Sequence, residues 1–85
     1  MKTKVATYNV IFTPEPEGGY TVIVPSLRGC VTYGDTLTQA KMMAEDAIKG
    51  FIESLKKHHE PIPSDEESFI TTISVPQAQK TTVYA

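Results

Sequence analysis

The sequence predicts an α+β fold in two layers, with elements in the order β-β-β-α-β: one antiparallel-rich sheet and one long helix packed on one of its faces. Three observations predict it. Short stretches alternate apolar and polar residues with period two, as half-buried strands do. Glycine and proline punctuate the ends of those stretches, at Gly18-Gly19, Pro25, Gly29 and Gly34. A single long run of helical spacing lies between Thr36 and Pro61, with no proline inside it.

Lys4 to Thr13 is the first expected strand, with Tyr8, Val10 and Phe12 on one face and Thr7, Asn9 and Ile11 on the other. Pro14 and Pro16 end it, and Gly18-Gly19 supply the positive φ angles of a hairpin turn. Tyr20 to Val24 is the second, with Tyr20, Val22 and Val24 sharing a face until Pro25 removes a ladder donor. Ser26-Leu27-Arg28-Gly29 reads as a corner into a third strand, Cys30 to Tyr33.

Gly34-Asp35-Thr36 closes that strand and opens the helix, where Thr36 and Gln39 fit a capping box. Leu37, Ala40, Ala44, Ala47, Ile48, Phe51 and Leu55 form its apolar stripe, and Lys41, Glu45, Lys49 and Glu53 its solvated ridge. Gly50 weakens the helix by about 1 kcal/mol relative to alanine, which suggests a close approach to the sheet or a slight kink. Lys56, Lys57, His58 and His59 suit the negative end of the helix dipole, and Pro61 and Pro63 stop the helix. Ser68 to Val75 alternates again and is expected as the fourth strand. The tail, 76–85, is expected to fray or to add to a sheet edge.

A chain of 85 residues is expected to be one domain, with its core in residues 4–75. Small cores need reinforcement from disulfides, metals or oligomerisation. Cys30 is the lone cysteine, and with the adjacent His58-His59 it does not supply tetrahedral metal-ligand spacing. No metal or other cofactor is expected, and oligomerisation to a dimer or tetramer is. Ten acids against eight bases give a net charge of −2, without the basic excess that marks nucleic-acid binders. No apolar run is long enough for a signal peptide or a membrane span, so a soluble protein of the cytoplasm is expected.

One helix covers one sheet face, so the other face meets water or a partner. It carries Ile11, Ile23 and Ile70, which form an interaction patch if aligned and are ordinary if scattered. Cys30 reads as a small buried apolar residue, since the helix holds the histidines far from it.

The residues Gly18-Gly19-Tyr20, Val22, Val24-Pro25, Leu27, Gly29-Cys30, Thr32, Gly34-Asp35-Thr36, Ala40, Ala44, Ala47 and Ile62-Pro63 together resemble the HicB-like antitoxin family over about Tyr8 to Val75. The chain departs from that pattern at Ser26 and Arg28, where the family commonly has an acid and a proline. It departs again at His59 or Glu60, where the family often has glycine. The resemblance implies a degraded ribonuclease-H-like fold. It also implies an antitoxin of a type II toxin–antitoxin system, which binds and masks a small, basic, mRNA-cleaving toxin of the HicA type. Many members continue into a DNA-binding segment. Nine residues follow Pro76, so direct DNA binding is not expected.

A residual ribonuclease would need carboxylates around two hard cations, one of them on the first strand, where this chain has none. No catalytic residue is expected: Asp35, Glu45, Asp46 and Asp65-Glu66-Glu67 read as solvated or helix-start charges. The alternative to an antitoxin is an orphan homo-oligomeric interaction module. Ile11, Ile23, Ile70, Arg28 and Asp35 are the candidate partner-contact residues, while Gly18, Gly19, Pro25, Gly29, Cys30, Gly34 and Thr36 set the scaffold.

Overall fold

The computed structural model describes residues 6–77. Three strands, β1 (Ile11–Pro14), β2 (Tyr20–Ile23) and β3 (Val31–Gly34), form an antiparallel sheet in the order β1-β2-β3. The helix α1 (Leu37–Lys57) packs on one face of it, mainly over β3 and less over β2. This is the α+β arrangement expected from the alternating stretches and the long helical run.

Hairpin geometry sets the register. Gly18 and Gly19 take φ angles of 107° and 81°, where a Cβ is disfavoured. Glu15 N–H donates to the Gly19 carbonyl at 3.0 Å, continuing the ladder that pairs Thr13 with Thr21 and Ile11 with Ile23. Backbone groups alternate sides along a strand, so Phe12 and Pro14 turn theirs to the open edge of β1. Pro14, which lacks an N–H, is tolerated there.

Val22 and Val24 are buried on the helix side, as their alternation predicts. Val22 packs with Ala40 and Ala44, flanked by Val10, Phe12 and Tyr20. Val24, Leu27 and Cys30 form a second cluster under Tyr8, Ala47, Ile48, Phe51 and Leu55. The corner after Pro25 thus does more than turn the chain, because Leu27 plugs the space beneath the C-terminal half of α1. Gly34 is buried where the helix begins. A Cβ there would collide with the backbone of Ala40, so glycine lets helix and sheet approach closely. Leu37, expected in the apolar stripe, is exposed at the first turn.

Both helix ends are closed by named bonds. Thr36 Oγ accepts from Gln39 N–H at 3.1 Å, while Gln39 Oε1 accepts from Asp35 N–H at 2.6 Å. The capping box therefore forms with its return bond one residue earlier than Thr36. At the C-terminus, His59 N–H donates to Lys56 O and Glu60 N–H to Leu55 O, a Schellman motif with His59 at φ 56°. His59 thus occupies the left-handed position that favours glycine. Gly50 is exposed, and nothing lies within 4 Å of where its Cβ would be, so it marks no close approach to the sheet.

The first strand is shorter than expected, because residues 6–10 precede the ladder and Lys4 lies outside the described residues. Beyond Ile23, β2 runs into Pro25 and offers no partner for that lead-in. Ser68–Val75, expected as the fourth strand, forms no ladder among the described residues. Ser68 N–H bonds back to Asp65 O at 2.9 Å, and that turn carries the segment off the body instead of along β1. The expected tail strand lies almost wholly outside the described residues.

Candidate interaction surface

The sheet face opposite α1 is built by the hairpin register. Ile11 pairs with Ile23, and Ile23 with Val31, so three aliphatic side chains form one row across all three strands. Thr13, Thr21 and Tyr33 form the next row. Ile11, Ile23, Val31 and Tyr33 are all exposed. The alternation of the first two strands points to Ile11 and Ile23. Val31 joins them in the structure, and its alternation with Thr32 is the sequence signal for it. Ile70 is not beside them in the same chain, since it lies in the projecting segment.

Arg28 and Asp35 are exposed but not part of this row. Arg28 sits on the corner before Gly29, and Asp35 sits at the helix entrance beyond β3. Asp35 belongs to a different constellation, around Tyr33. The Tyr33 hydroxyl donates to Gly18 O at 3.0 Å. Its phenol is held above its ordinary value by desolvation and then by Asp35, Glu17 and Glu15. The hairpin end of the sheet is therefore acidic around one tyrosine. Thr21 Oγ1 donates to Glu15 Oε2 at 2.5 Å, which ties one of these carboxylates to the sheet.

Asp65 has a role that the sequence did not disclose, since it reads there as a solvated loop charge. Its carboxylate accepts from Asn9 N–H at 2.9 Å and from Ser26 Oγ at 2.5 Å. Its own N–H donates to Thr7 O at 2.7 Å. These bonds hold its carboxyl below the ordinary value of 3.8, the Ser26 bond first and the Asn9 N–H second, against a smaller desolvation effect. Tyr8 Oη adds a bond to Pro63 O at 2.5 Å. The loop after α1 is thereby fastened between the lead-in to β1 and the end of β2, a clamp and not a reactive group.

Cys30 is buried, and desolvation raises its thiol above the ordinary value, which opposes thiolate chemistry. His58 caps the helix end, with Nδ1 2.8 Å from Ser54 O. Among the described residues, no group of three His, Cys, Asp or Glu side chains is gathered to hold a metal ion. Among them too, no helix is long and apolar enough to cross a membrane.

The sequence that builds this scaffold matches the family model of the HicB-like antitoxins of bacterial toxin–antitoxin systems over residues 8–84. The chain belongs to the HicB-like antitoxin family. Among its relatives, a UPF0150 protein of Thermoplasma acidophilum is 48% identical over 64 residues, covering 75% of this chain and 93% of that protein. A UPF0150 protein of Synechocystis is 36% identical over 63 residues, covering 74% and 80%. Antitoxin HicB of Escherichia coli K12 is 35% identical over 71 residues. That match covers 81% of this chain but only 51% of HicB, so this HicB-like chain spans about half of that relative.

Proposed function

We propose that this chain neutralises a small, basic, mRNA-cleaving toxin of the HicA type by binding it and masking its active site. The chain itself catalyses no reaction in this reading. The single observation that carries it is the family match over nearly the whole chain. The acidic hairpin end supports it, because Asp35, Glu17 and Glu15 lie close enough to Tyr33 to act on its phenol. Complementary charge of this kind speeds encounter with a basic, RNA-binding partner. Asp35 is thus a proposed contact, and Arg28, on the corner at the opposite end of the sheet, is a second and separate proposed contact.

The test is co-expression with a short neighbouring reading frame that contains Gly-Ser-His, the context in which the family resemblance places the catalytic histidine of such a toxin. The expected result is relief of growth arrest, a stable complex, and loss of RNA cleavage by the purified toxin when this chain is added. The triple change Glu15→Lys, Glu17→Lys and Asp35→Lys should slow association about tenfold or more at low salt. Failure of the wild-type chain to bind any such partner would sink the proposal.

A further inference from the structure

The segment 69–75 reads Phe-Ile-Thr-Thr-Ile-Ser-Val, strand-forming in composition and alternation, yet it has no ladder among the described residues. Phe69 is 87% exposed, Ile73 79% and Val75 74%, all on one side of the alternation. So large an apolar side is not stable in water on a strand without neighbours. The sheet, for its part, ends in two outer strands, β1 and β3, and β1 is the one that α1 leaves uncovered. The open edge there presents the unpaired backbone groups of Phe12, while α1 lies mainly over β3 and β2. An open groove of about 790 Å³ remains on the helix side, lined by Tyr8, Ile48, Ile52 and Ile62 among others.

The segment is poorly placed to reach this edge in its own chain. Asp65 is bonded to Thr7 and Asn9 on one side and to Ser26, just beyond β2, on the other. That holds it on the β2 side of the lead-in to β1, away from the open edge. The turn from Asp65 to Ser68 then directs the chain outward.

We propose that residues 69–75 of one copy add to the open edge of β1 in a second copy, with Ile70 beside Ile11, and that the exchange is reciprocal. The register follows from the pleat. Ile70 then extends the row Ile11–Ile23–Val31 to four strands, while Phe69, Thr71 and Ile73 continue the helix-side layer of Phe12 and Val10 toward the groove. Reciprocal exchange closes a two-fold dimer and leaves neither segment unpaired. Charge selects a second copy over a basic toxin as the occupant: neither residues 69–75 nor residues 10–14 contain a charged side chain.

Cysteine cross-linking of the full chain tests this directly. Oxidation of the double variant Ile11→Cys/Ile70→Cys should give a covalent dimer, and mixing the two single variants, one of them mass-tagged, should give the mixed dimer. Cys30 is buried and stays out of the reaction. A link closed within one chain, or no link at all, overturns the proposal. In sedimentation, Phe69→Asp should raise the dimer dissociation constant about 100-fold or more with an unchanged helix signal, because a carboxylate would be buried without a partner. A dimer that Phe69→Asp leaves as tight as the wild type would equally overturn it. These readouts require no toxin, so they stand or fall separately from the antitoxin reading.

Discussion

Replacing His59 with glycine should stabilise the protein. His59 is exposed and sits at φ 56°, one residue past the cap of α1. The bonds that close this end, His59 N–H to Lys56 O and Glu60 N–H to Leu55 O, are entirely backbone, so glycine retains both. A left-handed conformation costs a residue with a Cβ about 1–2 kcal/mol. Glycine's greater freedom in the unfolded chain takes back about 0.5–1 kcal/mol. The net gain is about 0.5–1 kcal/mol, or about 2–8 °C in Tm for a domain of this size. Urea denaturation at one fixed protein concentration measures it, because any self-association makes the midpoint depend on concentration. His59→Ala is the control, since alanine keeps the Cβ and should show none of this gain. A destabilised His59→Gly, or an equal gain in both variants, would refute the reasoning.

Three further outcomes follow from other positions. Gly50→Ala should add about 1 kcal/mol, because the site is an exposed helix interior with open space for the methyl group; a loss in thermal unfolding would contradict this. Asp65→Asn should lower the Tm at neutral pH and flatten the acid limb of the stability profile. The Asp65 carboxyl is depressed below 3.8 in the folded protein, so its contribution is present above that value and disappears as pH falls through the lower folded value. Parallel acid limbs for wild type and variant would count against the clamp. The Ile11–Ile23–Val31 row is a surface separate from the strand exchange at β1. If copies also associate through that face, Ile23→Lys should weaken the association in light scattering and leave the helical circular dichroism intact, whereas association unchanged by the substitution would remove the row from any interface.

What the sequence discloses is what neighbours in the chain decide. The Thr36–Gln39 cap spans three residues, and the Gly18-Gly19 turn is a local conformational demand, so both can be read directly. Ile11 and Ile23 are legible as outward-facing, and their meeting follows once the hairpin sets the register. Asp65 is different. Its partners Asn9 and Ser26 lie 56 and 39 residues away, and nothing in the string Asp-Glu-Glu separates an anchored carboxylate from two solvated ones. Ser68–Val75 shows the same limit in another form. Alternation says that a segment is suited to a sheet, but not which edge receives it. The left-handed angle of His59 is not legible in the residue itself, which is not the one that such a backbone favours. It shows only in the family resemblance, where glycine often stands at His59 or Glu60.

The uncharged run of residues 69–75 also has a consequence for handling and for life in a crowded cell. Seven residues of high β-propensity, without charge or proline, make the kind of segment that stacks into fibrils. Its borders are guarded: Asp65-Glu66-Glu67 repel lateral stacking on one side, and Pro76 interrupts a ladder on the other. Neutralising the acidic border, by low pH or by Glu66→Gln/Glu67→Gln, should shorten the lag before thioflavin-positive aggregates form. The same short stretch would then carry both the specific assembly of the chain and its principal hazard, with three carboxylates and one proline holding them apart.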